Sequence, residues 1–469
     1  MANKTLLTNL AKTSSVLQTY LAPESISILR DLPIVELYAF LAKVEPWNDE
    51  NNPPNPIQDQ KSLKQIFNNM FVVKKISTYD ISPVAQRIDW TSGVTYEYYR
   101  DDADMTELDQ NGLLVRKFYV MNRYYQVFKC LWNNNYSPAT VEPYFEPGTY
   151  GTNNIFNGAD GYKWKYLFTV DSGLRNKFMD KTWIPVFPNN PSPSALDTSA
   201  GSGNLDAINV LNGGFGYDPG NYPVTVVITG DGTASNGTPY TTATAVAVIT
   251  AGVVKDIIVT DTGKNYTYAN AFVSSIAGTG CILAANTVSP IGGHGNDNVS
   301  ELGCSHVMLT VSFNGSENGF IPTDVDYHQL GLIANPYATS TYPNPANGAI
   351  YKTTTDLVVA AGQGLYLPDE IVWQGTSADP TQQNIDEAFF SAKVVSFDQT
   401  NNILHTVSVR GTPISNQPLF GQSRTVRTLL SSSYPDYVIQ SGYITYIENR
   451  TGIQRSSDGI EQFKIVLGY

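Results

Sequence analysis

Charge is scarce in this chain. Only 15% of its 469 residues are Asp, Glu, Lys or Arg, where about 25% is usual. Lys and Arg number 29 against 42 Asp and Glu, a formal net charge of −13. Phosphate backbones are gripped by clustered Lys and Arg, so nucleic acid is not an expected partner. Cysteine is nearly absent. Cys130, Cys281 and Cys304 lie far apart, which gives neither a disulfide framework nor a zinc ligand pair; they read as small core residues in a reducing compartment. Four histidines (His294, His306, His328, His405) leave little material for metal or acid–base chemistry. No run approaches the ~18–20 apolar residues of a membrane-spanning helix. The opening MANKTLLTNLAKTSSVLQTYLAPES is interrupted by polar residues every few positions and lacks the apolar stretch of a secretory signal.

What the chain does have is Tyr, Asn, Gly, Thr and Val. Aromatic residues make up 12% of it, with 29 Tyr, and 42% is hydrophobic, enough apolar surface to offset chain entropy and exclude wholesale disorder. β-branched and aromatic residues favour strands, and Asn and Gly favour turns. The expected fold is mainly β with a few helices, a multi-segment sandwich or barrel core carrying an inserted β-repeat domain.

Five segments follow along the chain. Residues 1–190 read as the N-terminal part of a core. Within it, 5–21 has the spacing of a short amphipathic helix, Ile34–Trp47 suits a buried strand, and Ser62 with Gln65 forms a capping-box pattern ahead of Leu63, Ile66, Phe67 and Met70 at helical spacing. Strands are predicted in VVKKISTYDI, GVTYEYYR, LLVRKFYVMN, YYQVFKCLW, YKWKYLFTV and WIPVF. A Pro/Ser/Gly linker spans 188–204. Residues 205–290 hold an internal repeat, displaced by 49 residues at its start and 48 at its end: Gly214, Gly216 and Tyr217 align with Gly263, Asn265 and Tyr266, and Gly230 and Gly232 with Gly278 and Gly280. Each copy is predicted as a strand, a tight turn whose Tyr folds back onto it, and a second strand, with TATAVAVITAGVVKDIIVT joining the copies as one β run. Residues 291–350 continue the core. Residues 353–430 carry five short strands, the pattern of a small barrel or sandwich, and 431–469 return two strands to the core.

Catalytic signatures do not occur. There is no G-x-S-x-G, H-E-x-x-H or G-x-x-x-x-G-K-[ST]. GGFGYD and GGHGND lack the third glycine and the helix of a dinucleotide site. The acidic run Asp101, Asp102, Asp104, Glu107, Asp109 lacks the glycine and closing Glu of a calcium loop and reads as solvated. Asp369/Glu370 and Asp386/Glu387 are adjacent acids, not carboxyls facing across a cleft. His306 reads as a packed histidine. No cofactor, no metal and no enzymatic activity are expected.

Four segments carry more specific information. They are Glu45-Pro46-Trp47, Arg87-Ile88-Asp89-Trp90, the run from Asp160-Gly161-Tyr162 through Trp164 and Tyr166 to Phe168, and Ser441-Gly442 with Tyr446-Ile447-Glu448-Asn449-Arg450. In order and content they resemble the baseplate wedge protein of T-even-type contractile-tail bacteriophages, over about half the chain. D-G-Y-x-W-x-Y-L-F and I-E-N-R are the specific matches. The resemblance implies a non-enzymatic virion subunit, assembled in the host cytoplasm, that forms a homodimer, holds neighbouring wedge proteins in register and relays the rearrangement that triggers sheath contraction. Physically, Asp160-Gly161 is a turn dipeptide after which Tyr162, Trp164 and Tyr166 share one strand face, as core or interface, and Lys163, Lys165 and Leu167 take the other. Arg87 with Asp89, and Glu448 with Arg450, read as ion pairs. A repeat of this Gly-Tyr type is an insertion relative to shorter family members. The runner-up readings are a carbohydrate-binding tail adhesin, with Tyr217 and Tyr266 stacking on sugars, and a tail glycan hydrolase.

Overall fold

The computed structural model describes residues 36–146, 154–187, 203–233, 242–375 and 385–468. The helix expected over 5–21 lies outside them, as does the linker except for its last two residues. The protein is mainly β with a few helices. Its described residues divide into two units, 82–308 with 466–468, and 36–81 with 309–465. The segment 1–190 is thereby shared between both.

In the first unit, four antiparallel strands stand in the order Tyr119–Met121, Gln126–Asn133, Tyr162–Thr169, Ile155–Asn157. Gln126–Asn133 is buried throughout and Tyr162–Thr169 at all but its last residue, so the two central strands are covered on both faces. GVTYEYYR, predicted as a strand, is not one. The Glu97 amide donates to Lys117 O and the Tyr99 amide to Cys130 O, so alternate amides reach different neighbours and no ladder forms. Helix Ser172–Phe178 starts at Asp171, whose side chain accepts from the Gly173 amide, and buries Phe178 with Val84 and Met308.

The repeat belongs to this unit and is intertwined. Strand Asn209–Phe215 of the first copy pairs with Thr279–Ala284, which begins at the end of the second copy. Strand Val253–Asp261 of the second pairs with Thr244–Thr250, which follows the first. The middle strands, Val224–Gly230 and Ala269–Ser275, pair with each other in antiparallel register, Val227 opposite Phe272. The run expected to link the copies continuously is instead a hairpin, because Ala251 and Gly252 both adopt positive φ (51° and 74°) and turn the chain in two residues.

In the second unit a five-stranded antiparallel sheet has the order Ile350–Tyr351, Met70–Lys75, Leu37–Ala42, Val325–Ala334, Tyr443–Arg455. The strand expected from Ile34 ends at Ala42, where Lys43 takes φ 62°. Helix Gln60–Asn69 matches the predicted periodicity and seats Ile66 against Tyr38, Phe40, Met70 and Val73. Its cap is Asp59, however. Ser62 lies inside the first turn and donates both its amide and its hydroxyl to the Asp59 carboxylate. Residues 355–433 form a closed six-stranded barrel in which Thr355–Val359 pairs with both Ile403–Gly411 and Val426–Ser433. The sixth strand, Pro418–Gly421, escaped the sequence reading because it is four residues long and begins at a proline. Leu357, Val372, Phe390, Leu404, Leu419 and Leu429 fill the interior.

Candidate functional site

The aromatic strand and its turn come first. Gly161 has φ 85°, and its space for a Cβ is taken by the Asn134 side chain, so only glycine fits without displacement. Asp160 Oδ2 accepts from the amides of Thr140 and Val141, and Oδ1 from that of Tyr162. Tyr162 and Trp164 stack with ring centroids 5.5 Å apart, Tyr96 meets Trp164 edge-on at 5.6 Å, and Tyr166 stacks on Phe145 at 3.9 Å. All three strand aromatics are buried, so within the chain they are core.

The opposite face of the same strand holds what sequence reasoning missed. Lys129 and Lys165 stand directly opposite each other across two strands and both are 1% exposed, an arrangement that like charges oppose. Each has its own carboxylate. Lys129 Nζ lies 2.8 Å from Glu301 Oε1, and Lys165 Nζ lies 3.3 Å from Asp206 Oδ2. His294 sits between, its Nδ1 at 2.6 Å from Glu301 and its Nε2 at 3.9 Å from Asp206. The Gly295 amide donates to Glu301 Oε2, and Lys129 lies over the Tyr99 ring at 3.5 Å. Burial and the neighbouring Lys129 cation hold His294 below its ordinary pKa. Burial pushes Glu301 upward, but Lys129 and His294 outweigh it and leave the carboxyl well below its usual range. Lys163, on the same face, pairs with Asp256 at 2.7 Å. Asp206 and Asp256 belong to the repeat segment, so these lysines fasten it to the sheet. The legible signal was a lysine at alternate positions of an otherwise apolar strand, which demands buried counter-charges.

Tyr217 and Tyr266, the repeat tyrosines, are each 4% exposed and cannot stack on a sugar. Tyr266 does fold back on Gly263 of its own copy, but both rings also reach across to the other. Tyr217 lies over Gly278 of the second copy and Tyr266 over Gly232 of the first. The Tyr217 hydroxyl accepts from the Cys281 amide, and that of Tyr266 from the Ala243 amide. Gly214 takes φ 61° with backbone of the strand Thr279–Ala284 against it, and Gly263 takes φ 60° beneath the Tyr266 ring and beside backbone of Thr233 and Ala243.

Arg87 bonds both oxygens of Asp89 at 2.9 and 3.0 Å and reaches Asp180 O. With Asp89 half exposed, this pair contributes little. Trp90 follows with its amide on Met121 O. At the other end of the sequence match, Trp47 Nε1 donates to Arg450 O at 2.8 Å, and Lys43 Nζ lies 4.4 Å from the Trp47 ring centroid. Glu50 ties both segments, accepting from the amides of Trp47 and Gly452. Arg450 Nε is 3.5 Å from Glu448, which also accepts from Tyr446. Asn449 Nδ2 donates to Pro54 O and its Oδ1 accepts from Gln329. The E-P-W and I-E-N-R pair meets in the second unit, and the other two segments lie in the first.

Several of the remaining suspects have partners within the chain. Asp101 accepts from the Val288 amide, Asp102 pairs with Arg100, Glu107 with Arg116, and Asp109 caps its own turn. Asp369 pairs with Lys393, and Glu370 accepts from Leu367 and Ser423. His306 packs on Trp183. Among the described residues no group of three or more His, Cys, Asp or Glu could hold a metal ion, and no helix is long and apolar enough to cross a membrane. No protein-family model matches the chain, and no curated protein matches it.

Proposed function

We propose that the chain is a structural subunit of a contractile-tail phage baseplate wedge, acting as a homodimer that scaffolds neighbouring wedge proteins and relays the rearrangement preceding sheath contraction. One observation carries the reading beyond the motif resemblance itself. Two of the matched segments, about 400 residues apart, lock together through Trp47 Nε1 and Arg450 O, so they behave as parts of one fold signature and not as chance words. Exposed tyrosines such as Tyr79, Tyr136, Tyr268, Tyr342 and Tyr443, with few charges in the chain, suit a surface committed to other subunits, since buried interface cores are enriched in aromatics and depleted of charge. Antibody raised against the chain should decorate the baseplate end of intact tails in negative-stain micrographs. Decoration of the head, of the sheath alone, or of nothing would end this reading. Light scattering of the purified chain should give twice 51.3 kDa; a monomer mass at micromolar concentration would remove the dimer.

A further inference from the structure

The second unit contains a cleft of about 380 Å³, within the range of small-molecule sites, which runs from about 300 to 1,000 Å³. It lies between helix Gln60–Asn69, the segment from Lys43 to Ile57, and strands of the sheet and barrel. We propose that this cleft binds a neutral saccharide.

Its walls are unusual in chemistry. Gln65, Asn68, Asn69, Gln329 and Asn449 present side-chain amides, and Trp47 supplies a half-buried indole. Several amides are already held in place. Asn449 is fixed between Pro54 O and Gln329, Asn69 by the Ser408 hydroxyl, and Asn68 by Gln440. The indole is anchored by its own bond to Arg450 O. An amide offers a coplanar donor and acceptor, the pattern that adjacent sugar hydroxyls match, while an aromatic ring covers the C–H face of a pyranose. Two other ligand classes fit less well. Lys43 and Lys393 lie in the cleft, but both are bound to Glu45 at 3.1 and 3.2 Å, and Lys393 also to Asp369 at 3.2 Å. These cations are therefore neutralised, which disfavours a phosphate or sulfate. The five amides disfavour a wholly apolar ligand, whose burial would strip them of water without replacing it, while Pro54, Pro56 and Ile57 line the same cleft and suit the C–H surface of a sugar. Gln65 and Asn55 are exposed at the rim, so they can be changed without disturbing the packing beneath.

The test uses the full chain labelled with 5-fluorotryptophan, titrated with glucose, galactose, N-acetylglucosamine, maltose and lactose up to about 10 mM, the weak-affinity regime of small ligands. The Trp47 resonance, assigned with Trp47→Phe, is expected to move saturably with at least one sugar. Asn55→Ala with Gln65→Ala should weaken that titration at least about tenfold while the melting temperature stays unchanged. No movement with any of the five, a Trp47 shift driven equally by sodium phosphate, or an unchanged titration in the double variant would overturn the proposal. It stands apart from the baseplate assignment, since soluble protein is titrated and tail location is not read.

Discussion

At the residue scale the most consequential groups are the five buried around His294. Two cations and two anions balance only while the imidazole is neutral. Removing one partner strands a charge, which typically costs about 3–5 kcal/mol. Lys129→Met should therefore lower unfolding free energy by that order in urea titrations, and Lys129→Met with Glu301→Leu should recover most of the loss. The pH dependence has a definite sign. The folded His294 pKa lies below its ordinary value, so as pH falls through about 6.5 the unfolded chain takes up a proton that the folded chain refuses. Stability then declines with falling pH until the folded pKa is reached. Glu301, held low, adds stability that is present above the ordinary Glu value of about 4.3 and is lost on further acidification. Urea midpoints measured between pH 7.5 and 5.0 should fall, and His294→Gln should flatten that slope. Beyond the alternating lysines of one strand, this grouping was not legible in the sequence, because Lys129, Asp206 and Glu301 come from segments without a shared motif. Only the folded register brings them together.

Among the elements, the repeat makes the sharpest prediction. A methyl at Gly278 would stand inside the Tyr217 ring, and one at Gly232 inside that of Tyr266. Overpacking typically costs about 1–3 kcal/mol, and here each substitution injures both copies, since the ring and the glycine beneath it come from different ones. Gly278→Ala should raise hydrogen exchange in Asn209–Phe215 as well as in Thr279–Ala284. Gly220→Ala, at a turn with only the Asp218 carboxylate nearby, should leave exchange unchanged. In helix Gln60–Asn69, Asp59→Ala should lower the melting temperature more than Gln65→Ala, because the carboxylate of Asp59 makes the cap. The glycine and tyrosine spacing announced two copies, and the apolar periodicity announced the helix. The crossing of the copies was hidden, since spacing within a copy is the same whichever partner the tyrosine covers. The sixth barrel strand and the irregular GVTYEYYR path were hidden for a related reason: both are settled by which neighbours offer hydrogen bonds, not by local pattern.

For the molecule as a whole, β class, low helix content and an internal repeat were readable from composition and periodicity, while the reading of that repeat as an insertion came from the resemblance. The division at residues 81/82 was not, because the strands Leu37–Ala42 and Met70–Lys75 belong with Val325–Ala334, some 250 to 300 residues away. The two ends of the repeat segment meet. The Ser289 amide donates to Asn204 O at 2.8 Å, and Leu205 bridges Val288. Excising 205–288 and closing the gap with an Asn-Gly turn should give a soluble chain in which Lys163 and Lys165, now uncovered, become reactive toward acetylation. An insoluble product, or lysines that stay protected in mass spectra, would mean the segment is integral to the fold. The same joint has a mechanical consequence. Tension carried along the backbone can pass from Asn204 to Ser289 across their two hydrogen bonds, Ser289 amide to Asn204 O and Asn204 amide to Ser289 Oγ, without entering the repeat, so the repeat is wired in parallel with this clasp and not in series. A pull along the backbone would reach the intertwined copies only once that clasp opens.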